Sequence, residues 1–93
     1  MNAKLLDKIS NELFNKHSLA ALILTIKVGD ELDFHYGDEA YSITWLKEEL
    51  LLSSPEIEGV QKFKNCEELI INGIIDGKKF IDVWDKIILD YLF

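Results

Sequence analysis

Leu19-Ala-Ala-Leu-Ile-Leu-Thr-Ile-Lys-Val28, then Gly29-Asp30, then Glu31-Leu-Asp-Phe-His-Tyr36 is the stretch on which the fold turns. Its first part is an apolar run, and its last part alternates polar with apolar at every step. Two such segments around a short glycine-containing connection predict a β-hairpin over 19–36, with Gly29 taking the positive φ of a tight turn. In the first strand Leu22, Leu24, Ile26 and Val28 form one face and Ala21, Ile23 and Thr25 the other. Both faces are dry, so both need covering. In the second strand Leu32, Phe34 and Tyr36 face the core, while Glu31, Asp33 and His35 face water.

The flanks read as helices. Leu5, Leu6, Ile9, Leu13 and Phe14 make one apolar stripe over 3–16, with Lys4, Asp7, Lys8 and Glu12 on the wet side. At the other end Phe80, Val83, Trp84, Ile87, Ile88 and Tyr91 repeat at helical spacing and predict a helix over 78–92. Between the two, Tyr41-Ser-Ile43 alternates and gives a third strand near 41–43. Leu46-Lys-Glu-Glu-Leu-Leu-Leu52 is made of strong helix formers, so a helix capped by Thr44 and ending at Ser53 follows, with one helix over 38–53 as the alternative. Residues 54–64 read as mostly irregular. Asn65-Cys-Glu-Glu68 resembles a capping box opening a short helix, while Asn72-Gly73 could instead turn a hairpin over 69–75. The predicted fold is α+β: one domain over 1–93, with a small antiparallel sheet packed against helices 3–16 and 78–92.

The charge is distributed unevenly. The net charge is −7, and residues 28–60 hold nine acids against Lys47 alone. Every cationic side chain other than histidine is lysine, and no basic stripe exists, so direct nucleic-acid binding is not expected. The apolar run from Leu19 is too short for a membrane span. A lone Cys66 offers no disulfide framework and suits a reducing compartment, so the expected location is the cytoplasm.

Chemistry-bearing motifs are missing. The sequence has no phosphate loop, no zinc spacing and no nucleophile elbow, and two histidines with one cysteine fall short of a structural zinc site. The adjacent acid pairs share one environment, whereas acid–base catalysis needs two. The spacing of Asp30, Asp33 and Asp38 is not that of a calcium loop. Neither an enzyme nor a cofactor is expected.

The acidic middle third remains. Solubility alone would account for such a charge. The sharper reading is a docking face built from Asp30, Glu31, Asp33, His35, Asp38, Glu39, Trp45, Glu48 and Glu49, steering towards a basic protein partner. A small immunity protein or antitoxin that blocks a toxin or nuclease uses such a face. A nucleic-acid mimic is the alternative, although mimics carry acids throughout and this chain has ten lysines. Self-association into a homodimer, burying the dry strand and the apolar C-terminal end, is a third reading.

Overall fold

The computed structural model describes residues 3–93 and corrects the opening stretch first. Leu19–Lys27 is a helix, α2, following α1 (Ala3–Lys16). Ser18 caps it, its Oγ accepting the Ala21 amide at 3.1 Å. Gly29, at φ 103°, is the left-handed residue that ends it, and the Asp30 amide reaches back to the Thr25 carbonyl. Gly29 thus has the predicted backbone but a different job. Five of the nine residues are Leu or Ala, strong helix formers, which outweighs Ile23, Thr25 and Ile26. Ala21, Leu22, Thr25 and Ile26 are buried, whereas Leu24 lies exposed. On α1 Ile9 and Leu13 are buried and Phe14 is exposed; Leu6 lies outside the described side chains.

The α+β class holds, with a larger sheet than predicted. Strands β1 (Leu32–Tyr36), β2 (Glu39–Leu46), β3 (Glu49–Ser54) and β4 (Ile57–Phe63) run as an antiparallel meander. The predicted third strand near 41–43 is the middle of β2. The helix predicted up to Ser53 is instead the end of β2, a turn at Lys47-Glu48, and β3. Here Ile43 pairs with Leu52 and Trp45 with Leu50 across the core face, and that cross-strand burial overrides the helix propensity of the leucine run. Residues 57–63, predicted irregular, form β4.

Helix α3 (Cys66–Asn72) is capped as predicted, the Asn65 side chain accepting the Glu68 amide at 2.9 Å. A small hairpin follows: β5 (Ile74–Ile75) and β6 (Lys78–Lys79). Its turn is Asp76-Gly77, both with φ above zero, rather than Asn72-Gly73.

The predicted helix over 78–92 is overturned. Only Phe80–Val83 (α4) is α-helical; a 3-10 turn at Trp84–Lys86 follows, and then strand β7 (Ile88–Leu92). Phe80, Val83, Trp84 and Ile87 keep their stripe and are buried, but Ile88 and Tyr91 are exposed. Continuing the helix would leave β1 an open edge. As a strand, β7 supplies its second neighbour and completes the order β4-β3-β2-β1-β7.

One face of the sheet is buried and the other is open. Leu32, Phe34, Tyr41, Ile43, Leu50, Leu52 and Phe63 point to the core shared with the helices. Aromatic rings run through it in contact: Tyr41 on Phe34, Phe34 edge-on to Phe80, Phe80 on Trp84, and Trp84 on His17 at the junction of α1 and α2. No helix among the described residues is long and apolar enough to cross a membrane.

Candidate functional site

The meander carries the acidic third of the chain but does not gather it into one face. Asp33 and His35 do share the open face of β1, opposite Leu32 and Phe34. Asp33 accepts the Ser42 hydroxyl at 2.7 Å, and His35 Nδ1 lies 2.9 Å from both oxygens of Asp90 on β7. These side chains tie β1 to its two neighbours.

Glu31 is likewise engaged. Its carboxylate accepts the Trp45 amide at 2.7 Å, satisfying a donor at the end of β2. Trp45 itself is half-buried against the core, and its Nε1–H donates to the Ile26 carbonyl at 2.9 Å, clamping α2 to the sheet. Asp30, also half-buried, belongs to the turn that ends α2. Asp38 and Glu39 lie at the β1–β2 turn, and Glu48 and Glu49 at the β2–β3 turn.

These two turns are at opposite ends of β2. Eight residues at about 3.3 Å each put them on the order of 25 Å apart. That exceeds the roughly 8 Å over which charges act through physiological salt, so the ends are independent patches. At the Glu48 end Lys62 and Lys64 border the same hollow as Glu48, Glu49 and Glu68, so charge there is mixed.

The β1–β2 end carries more acid, with Lys78 at its border donating to the Tyr36 hydroxyl at 3.2 Å, and the sequence reading missed two of its acidic members. A groove of about 450 Å³ opens between the β3–β4 hairpin and the β5–β6 hairpin. Glu39, Glu58 and Asp76 lie along it, with Tyr41, Leu52, Gln61 and Ile74. Glu58 fell in the segment predicted irregular. Asp76 fell just before the predicted last helix, although Asp-Gly is a hairpin-turn signal that could have placed it.

Tyr41 ties β2 to the turn of the β5–β6 hairpin, through the backbone of Asp76. Burial first, then the Glu39 carboxylate accepting its hydroxyl proton at 2.6 Å, push the phenol from its ordinary 10.0 up to about 12, while the backbone of Asp76 acts against them. Its neutral form is therefore favoured by folding. This contribution to stability is complete below pH 10 and is lost as pH rises through about 12. Glu39→Gln is expected to bring Tyr41 ionisation down towards 10, read as tyrosinate absorbance during a pH titration of the folded protein. An unmoved transition would show that Glu39 does not hold the phenol.

Five carboxylates of the middle third make no hydrogen bond or ion pair among the described residues. Asp38, Glu48, Glu49, Glu56 and Glu58 are exposed, and among the described residues the ion pairs are Lys16–Glu12 and His35–Asp90. Cys66 is buried, and burial first, then the charge of Glu67, push its thiol up to about 12, which keeps it protonated and unreactive at neutral pH. No group of three metal-ligating side chains occurs among the described residues. The chain matches no protein-family model, no curated protein and no solved structure.

Proposed function

We propose that this chain is a small acidic binding protein that captures and neutralises a basic protein partner, in the manner of a cytoplasmic immunity protein or antitoxin against a toxin or nuclease. One observation carries the reading. Five of the nine acids of the middle third, Asp38, Glu48, Glu49, Glu56 and Glu58, are exposed, and among the described residues their carboxylates take part in no hydrogen bond or ion pair. Charges that hold nothing inside the protein are free to steer an encounter outside it. Asp33, Glu31 and Glu39 differ, because each has a hydrogen-bonding role within the sheet.

The test follows from that division. The triple variant Asp38→Lys, Glu48→Lys, Glu56→Lys removes steering charge without touching the core. A partner captured from the native host is expected to associate with it about tenfold or more slowly at low salt, with the difference shrinking as salt is raised. Equal affinity and equal rate for both proteins would leave the acidic segment as a solvated surface and refute the proposal.

A further inference from the structure

We propose that the groove between the β3–β4 and β5–β6 hairpins receives an arginine side chain from an apolar-flanked peptide segment, and that a basic partner engages there; the second clause rests on the function proposed above. The walls are aliphatic. Leu52 is buried, while Ile57, Val60 and Ile74 remain 43%, 50% and 42% exposed, an apolar surface that the fold itself does not use. Along the same groove stand Glu39, Glu58 and Asp76, and no lysine, arginine or histidine is among the described residues that line it. Lys78, which feels the charge of Asp76, donates from its ammonium to the Tyr36 hydroxyl at 3.2 Å, outside the lining. A guanidinium fits this combination better than an ammonium. It is planar and weakly hydrated, so it tolerates apolar walls, and its fork donates two parallel hydrogen bonds to one carboxylate.

The groove is held open before anything binds. The Gln61 side-chain amide donates to the Ile74 carbonyl at 2.9 Å and accepts the Ile74 amide at 2.8 Å, which sets the separation of its two walls. Tyr41 orients the Glu39 carboxylate in the same way. Neither group has to be ordered by the ligand, which spares part of the entropy cost of binding. The occupant inserts a side chain rather than adding a strand. The register of β3 with β4 shifts between Leu52 and Ser54, where Gly59 takes φ 93°, and a bulged edge of this kind does not offer a regular ladder to a new strand.

The probe is the peptide acetyl-Leu-Arg-Leu-amide, titrated into the 15N-labelled full chain and followed by amide chemical shifts. Its citrulline counterpart, of the same shape without the charge, is titrated in parallel. Saturable shifts are expected at Gly59, Val60, Ile74 and Gly77, with the citrulline peptide binding about tenfold more weakly. Glu58→Gln with Asp76→Asn is expected to weaken the arginine peptide by about the same factor at an unchanged thermal midpoint, since asparagine also accepts the left-handed turn position of Asp76. Equal binding of both peptides, shifts centred on Glu48 and Glu49, or no saturable shift would each overturn the proposal. The two readings fail separately. A captured partner that binds this double variant at full affinity, yet loses affinity to the Asp38, Glu48, Glu56 triple variant, refutes the groove as the partner's site and leaves the proposed function standing. A partner indifferent to the triple variant refutes that function, while the peptide titration still decides what the groove binds.

Discussion

Trp84→Ala is expected to cost about 3–5 kcal/mol, the range for truncating a large buried aromatic. The ring is 8% exposed, stacks on His17 with centroids 4.2 Å apart, and lies against Phe80 at 5.7 Å. Its Nε1–H donates to the His17 carbonyl at 3.1 Å, and the His17 ring hydrogen-bonds in return to the Trp84 carbonyl. His17 sits at φ 53° between α1 and α2, a conformation that a non-glycine residue adopts only when its surroundings hold it there. Removing the indole therefore opens a cavity, strands a carbonyl and releases the joint of the helical hairpin together. Trp84→Phe keeps most of the packing and loses only the donor, and should cost on the order of 1–2 kcal/mol. Denaturant melts of both variants give the comparison. A cost below about 1 kcal/mol for the alanine variant would show that the His17 joint does not depend on Trp84.

Gly73→Ala is expected to cost about 2–3 kcal/mol, although it adds a single methyl group. Gly73 has φ −63°, so the constraint is space rather than backbone conformation. A Cβ there would lie 2.5 Å from the Leu69 carbonyl oxygen and 3.2 Å from a Leu52 methyl. The backbone cannot retreat easily, because the Gly73 amide is bonded to that same carbonyl at 2.7 Å and its own carbonyl accepts the Phe80 amide at 2.8 Å. Accommodating the methyl means parting α3 from β3 or loosening the start of α4. A fall in thermal midpoint of roughly 10–20 °C is the expected readout for a domain of this size. Ile71→Ala, two residues earlier and exposed, should stay within about 0.5 kcal/mol. Similar midpoints for Gly73→Ala and wild type would mean that the two elements are not locked at this point.

Where local signals and tertiary packing agree, the sequence predicts the structure. The helix α1, the alternation of β1 and the Asn65 cap of α3 are each set within a few residues, although of the predicted α1 stripe Ile9 and Leu13 are buried while Leu5 and Phe14 are exposed. The misreadings fall where two periods overlap. Leu50, Leu51 and Leu52 suit a helix by propensity, and it is their partners on two other strands, among them Ile43 and Trp45 on β2 and Phe63 on β4, that make them a strand. Phe80, Val83 and Trp84 keep a helical stripe, and Ile87 is buried just beyond it in extended backbone. Ile88 and Tyr91 continue its spacing by coincidence, and the pull of an unpaired β1 edge is invisible in the local sequence. Leu19–Lys27 is apolar on all sides, so it has no period to read, and the capping residues Ser18 and Gly29 were the better evidence.

The site was less legible than the fold, for a similar reason. Composition located the acidic residues between 28 and 60, but strand direction decides which of them meet. The β1–β2 and β3–β4 turns share one end of the sheet, which places Asp38 and Glu39 near Glu56 and Glu58. The β5–β6 hairpin then adds Asp76 from outside the acidic third. Glu48 and Glu49 are carried to the far end, among lysines. Charge counting along a chain cannot see this sorting, because it depends on where each strand reverses.

The position of β1 has a consequence for the order in which the molecule assembles. Leu32 pairs with Ile43 on one side and with Leu92 on the other. The meander from β1 to β4 closes through short turns, and hairpins of that kind form within microseconds. The contact of β1 with β7 must instead bridge the segment from Leu32 to Leu92, and it bears a larger loop-closure entropy. Until it forms, β1 presents an unpaired edge flanked by Phe34 and Leu32. The interval between meander and closure is therefore when this chain is most exposed to pairing with the wrong neighbour. Once β7 docks, its own register shift beside Asp33 makes the new edge a poorer template than the one it covers.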